Sequence, residues 1–267
     1  MLAMTDMSRT TFMKTVAVAV ALASLTINFG LIDLIDGFTG YVDQARNQVL
    51  DVGWGAMFGV IVPLGLLTQL RRPERRIAGI QQLAIVALAL ALAGVAGKAW
   101  WYLALALGIA VACAVLLALH PTRRTFFEAG PRLEPMMLAL AAVAAVPCLV
   151  YAWRMISAQR DDLPPLDAVS NGLHHWTVMA ALALVVLLLV LLSAIRSSGW
   201  LIPAISASIA TGAWAISCLL APTAAPGSEG HTWAYAALLW SVAALLVGAW
   251  PRTRDQSVAA APRLQAT

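Results

Sequence analysis

Charge is scarce in this chain. Only 11% of its 267 residues are Asp, Glu, Lys or Arg, where a soluble domain carries about 25%. The shortage excludes an ordinary water-soluble globule and leaves long apolar runs, several near the roughly 20 residues that cross a bilayer as a helix. Those runs lack the apolar/polar alternation of a membrane β-barrel strand. Cysteine is sparse as well: Cys113, Cys148 and Cys218 stand alone inside apolar runs, the wrong spacing for a disulfide framework or a cysteine metal knot. A P-loop, a dinucleotide fingerprint, a nucleophile elbow and an HExxH motif are all missing. The pI of 9.3 comes from basic residues scattered over the loops, so the expected partner is the lipid bilayer, with other membrane proteins, and not nucleic acid.

What is present is an all-α pattern: a polytopic bundle of eight transmembrane helices. The runs predict spans at about 15–35, 52–70, 77–95, 102–119, 135–153, 173–195, 200–220 and 232–250. Residues 1–14 form a short N-terminal segment, and the polar, Ala-rich residues 251–267 a disordered tail. The first run is too long for a signal-peptide core and reads as a retained span. Pro63 falls inside the second span and Pro147 inside the fifth, where neighbours must re-satisfy the freed carbonyls. Gln81 and Gln82 open the third span as a polar pair able to bond another helix or a headgroup. Ser206, Ser208, Thr211 and Gly212 make the seventh span one that can pack closely.

Charge then orients the spans. With the N-terminus inside, 13 Lys and Arg lie in cytoplasmic segments and only Arg46, Lys98, Arg154 and Arg160 lie outside. The positive-inside rule therefore predicts N-in and C-in. Each half of four spans has a long acidic outer loop followed by a span opening through a Trp (Asp51-Val52-Gly53-Trp54 and Leu173-His174-His175-Trp176). A 4+4 parallel repeat is one reading of that pattern; the identity between the halves is too thin to establish it.

Counting along the helices fixes depth. His175 lies 21 residues before Arg196, His231 21 before Arg252, Asp51 20 before Arg71, and Asp33 19 after Lys14. At about 1.5 Å per residue all four sit roughly 30 Å from the inner face, in one outer layer. The plainest reading is that spans end there: Asp51 caps the second helix and His231 starts the eighth. A haem site would use neutral imidazoles, His175 or His174 with His231, on two helices. A divalent metal would take Asp33, Asp51, His175 and His231. His174 and His175 diverge by about 100° on a helix, so only one can face a given site. The deep polar residues (Asn28, Gln81, Gln82, Thr211) are mild, and no span carries a mid-membrane charge, which argues against an ion-coupled pump but not against lipid handling.

His175 on the sixth span, His231 on the eighth and the following Ala236-Ala237-Leu238-Leu239-Trp240 resemble haem A synthase, a family of two four-helix halves with haem-ligating histidines near the outer ends of even-numbered helices. The resemblance implies haem at those histidines. The chain departs from the family at the second span, which has Trp54 where a histidine is expected, and at the fourth, whose His120 falls at the inner end. The whole chain, through its Ala/Leu/Val-rich spans, Asp51-Val52-Gly53 and the histidine-aromatic pair at the sixth span, resembles multi-span plasma-membrane proteins of high-GC actinobacteria. That group implies no particular activity. The leading expectation is therefore a non-enzymatic membrane component or accessory subunit. A haem- or metal-binding protein with its site at helices 2, 6 and 8, or a lipid or small-molecule transporter, are the alternatives.

Overall fold

The fold comes from a computed structural model, which describes residues 6–26, 29–39, 45–130, 132–161, 174–224 and 226–250. The expected disordered tail, the acidic stretch 162–173 and Asn28 lie outside the described residues. Among the described residues the chain is all-helical, and eight helical segments are long and apolar enough to cross a membrane. The helices are α1 (Asp6–Thr26), α2 (Gly30–Thr39), α3 (Ala45–Gly55), α4 (Val62–Leu67), α5 (Ile77–Gly97), α6 (Trp101–Leu119), α7 (Pro135–Arg160), α8 (His175–Ile195), α9 (Leu201–Leu220) and α10 (Gly230–Ala249).

The first apolar run is two helices, not one. Phe29 takes a left-handed conformation, φ 52°, between α1 and α2. Close approach explains why α2 lies where it does. Gly30 abuts the backbone of Phe58 and Gly59, Gly55 abuts the backbone of Leu34, and Gly37 abuts the Val52 side chain. The pairing runs antiparallel, so α2 lies along α3, and a Cβ at Gly30 or Gly55 would hold the two backbones apart.

The second span contains a π-helical segment, Ala56–Ile61, between α3 and α4. Pro63 accounts for its hydrogen bonding. The Val62 N–H donates to the Met57 carbonyl, five residues back. In that register the donor for the Phe58 carbonyl would be residue 63, a proline without an N–H. The Ser24 hydroxyl of α1 donates to it instead, at 2.6 Å. Gln82 of α5 donates to the Ile61 carbonyl at 2.6 Å and to Ser206 of α9 at 3.0 Å. One helix irregularity thus ties four elements together.

Burial separates centre from rim. In its most apolar stretch the second span is 83% buried and α5 and α8 are each 67% buried, against 22% in α7 and in α10. The rim helices present leucines, valines and tryptophans outward, as a lipid-facing surface does.

Two ends follow from the hydrogen bonds. At one, Ala78 N–H bonds the Ser198 carbonyl, Gly130 N–H the Ile195 carbonyl and Glu134 N–H the Ala194 carbonyl. Gln81 donates to the Phe126 carbonyl and accepts from Ser197. Arg71, Arg72, Arg75, Arg76, Arg123, Arg124 and Arg196 lie at this end. At the other, α7 runs to Arg160, past its expected stop at Trp153. Arg154 ion-pairs with Glu229, and Arg160 donates to the Ala96 carbonyl at 2.5 Å, so the extra turns are held by the bundle. Tyr151 donates to the Gly227 carbonyl at 2.7 Å and accepts from Trp214 at 3.1 Å.

Candidate functional site

The histidine pair stands at the start of α8. His174 is its N-cap in a left-handed conformation, φ 54° and ψ 45°, and its carbonyl accepts from Thr177 N–H at 2.9 Å and from the Tyr102 hydroxyl at 3.0 Å. Its Nδ1 lies 2.9 Å from the Gln159 amide nitrogen. That nitrogen only donates, so Nδ1 is the acceptor. Thr177 in turn donates to Gln159 Oε1 at 3.4 Å. His174 therefore fastens α8 to α7 and α6.

His175 points elsewhere. Its Nδ1 faces Asp51 Oδ1 of α3 at 3.6 Å. Trp54, three residues beyond Asp51 and so on the same face of α3, stacks on the imidazole with centroids 5.3 Å apart and planes 30° apart. Trp54 also contacts Phe58 at 4.7 Å, Trp101 at 5.8 Å and Tyr102 at 6.1 Å. His175 is buried, 6% exposed, with Trp54 against its ring. Its Nε2 is buried and has no hydrogen-bond partner among the described residues; the same is true of Trp101 Nε1. On α2, Asp33 lies within electrostatic reach of Asp51, His175 and Asp36.

The carboxylate on the Nδ1 side favours a proton on that nitrogen when the ring is neutral. With its proton on Nδ1 toward Asp51, a neutral His175 presents a lone pair at Nε2. Such a nitrogen accepts a proton or a coordinate bond, and it is buried from solvent.

The expected residues divide. Asp51 and His175 meet, with Asp33 near them. Asp51 does not cap a helix: α3 begins at Ala45, so Asp51 lies in its interior. His231 is exposed in the first turn of α10, and α10 packs on α9 and α7, not on α8. Of the residues expected to hold haem, His231 thus stands on a helix packed on α9 and α7, and His174 Nδ1 is engaged by Gln159. Among the described residues no group of three or more His, Cys, Asp or Glu side chains could hold a metal ion. Trp54, Tyr102 and Gln159 build the site, and sequence reasoning missed their roles. For Trp54 the signal was present, in its spacing of three from Asp51.

The remaining buried histidine, His120, closes α6 at the arginine-rich end. Its Nδ1 accepts from the Thr122 N–H at 3.2 Å. Burial pushes its pKa below the ordinary 6.5, partly offset by the Pro73 carbonyl and the Glu74 carboxylate.

No protein-family model, curated protein or solved structure matches this chain.

Proposed function

We propose that the chain is a non-enzymatic component of a bacterial plasma membrane, spanning it eight times with both termini on the cytoplasmic side. The orientation rests on the 13 Lys and Arg at one end against four at the other. The role rests on one observation: at the His/Asp end the polar side chains join helices to one another. His174, Gln159, Thr177 and Tyr102 link α6, α7 and α8. Asp51 and His175 link α3 to α8 behind Trp54. The outward apolar faces of the rim helices suit packing against lipid or a neighbouring membrane protein.

The buried, unpartnered Nε2 of His175 favours a second reading, in which that nitrogen binds a metal or a redox group. Absorption spectroscopy with metal analysis on the detergent-purified protein separates the two. A colourless, metal-free, folded protein supports the first reading. An absorption band or stoichiometric metal that disappears in His175→Ala overturns it. Labelling single cysteines placed at Arg124 and Arg160 tests the orientation; a cytoplasmic Arg160 position reverses it.

A further inference from the structure

We infer that Arg9 and Arg123 hold the phosphate of an anionic phospholipid at the end of α6, with its acyl chain along the outer face of that helix. Arg9 of α1 and Arg123 after α6 both donate to one acceptor, the Ala118 carbonyl, Arg123 at 3.2 Å. Two full positive charges are thus held side by side by one carbonyl at a helix C-terminus, which offers only a partial negative charge. Neither guanidinium has a carboxylate partner among the described residues. Most of the donors on each guanidinium remain unused. A phosphate accepting from both would satisfy them and relieve the repulsion, because guanidinium forks match phosphate oxygens.

The surroundings choose the source of that phosphate. Leu107, Val111, Val115 and Ala118 form one exposed face of α6. From 107 to 118 it extends about 16 Å at 1.5 Å per residue, about half of a ~30 Å hydrocarbon core and so one leaflet's depth of acyl chain. Phe127 lies beside it in the 3-10 turn after α6 and is 93% exposed, a ring placed as interfacial anchors are. A free phosphate ion would use the arginines but neither apolar feature. The inference is independent of which way the bundle faces.

The test uses the full chain in detergent micelles doped with phosphatidylglycerol or phosphatidylcholine. Native mass spectrometry reads lipid retention, and thermal melting reads protection. Phosphatidylglycerol is expected to be retained at least tenfold over phosphatidylcholine and to raise the midpoint. Arg123→Gln, an exposed change that leaves packing intact, should lower retention severalfold. Arg9→Gln with Arg123→Gln should abolish the preference, and Arg160→Gln at the other end should leave it unchanged. Equal retention of the two lipids, or full preference in a folded double variant, overturns the inference. Displacement of the lipid by millimolar inorganic phosphate would make the site one for a free anion, overturning the lipid assignment.

Discussion

His120 and His175 are the same residue, both buried, at opposite ends of the bundle, and their Nδ1 atoms face opposite partners, a backbone N–H at His120 and a carboxylate at His175. A backbone N–H can only donate, so the Thr122 N–H at His120 Nδ1 puts that ring's proton on Nε2. That Nε2 is buried and has no hydrogen-bond partner among the described residues. At His175 the Asp51 carboxylate faces Nδ1 at 3.6 Å, and a neutral ring with its proton on that side would keep a lone pair at Nε2. One imidazole finishes a helix; the other offers a basic nitrogen inside an aromatic wall. The ends differ in the same sense. Beside His175, Trp54 and Tyr102 are buried in one aromatic cluster, whereas at the arginine-rich end Phe127 stands exposed.

The largest expected effect tests that contrast directly. Trp54→Ala removes a ring packed against four others and should cost about 3–5 kcal/mol, read as an earlier unfolding midpoint in a mixed-micelle denaturant titration. Phe127→Ala should stay within about 0.5 kcal/mol, as exposed substitutions do, while lowering lipid retention. If the two variants unfold alike, the aromatic wall is not a packed core and the contrast between the ends fails.

The histidine at the other end supplies a smaller effect. His120→Leu takes away the acceptor for Thr122 N–H and should cost about 1–2 kcal/mol. His120→Asn sets an oxygen near the Nδ1 position and should recover most of that loss. A Leu variant as stable as the wild type would show that Thr122 finds another partner.

Proton linkage gives a third test at the same residue. Burial depresses the folded pKa of His120 below 6.5, so on acidification the unfolded chain takes up the proton first. The contribution is complete above about 6.5 and is lost as pH falls through the folded value. The thermal midpoint should therefore drop between pH 7.5 and 5.5, and His120→Asn should make the drop shallower. A variant with the same slope as the wild type would move that acid sensitivity to other groups.

What the sequence made legible was depth. Counting from the arginines placed Asp33, Asp51 and His175 at one level, and the structure brings Asp51 and His175 together. Position around the bundle was not legible, because apolar rim and core residues look alike where lipid is the solvent. The count put His231 at the level of His175, yet it sits on a helix that is only 22% buried in its most apolar stretch. The break at Phe29 was hidden for the same reason: hydropathy is continuous across it, and its cause is a glycine contact with residues nearly thirty positions away. Pro63 was visible as a disturbance. Its resolution needed Ser24 and Gln82, which no local pattern links to it.

The smallest effect belongs to the Arg154–Glu229 pair. Arg154 pairs with Glu229, but its side chain is 47% exposed, so water screens the pair and the two side chains lose freedom in making it. Arg154→Gln should shift stability by no more than about 0.5 kcal/mol. The loop before α10 keeps its other tether, the Tyr151 hydroxyl on the Gly227 carbonyl. Tyr151→Phe in the Arg154→Gln background isolates that tether. If the double variant loses far more than the two single variants together, the ion pair and the hydroxyl act as one clamp, and the His/Asp end is held by its rim as much as by the wall around Trp54. Additive losses leave the aromatic wall as the element that holds that end.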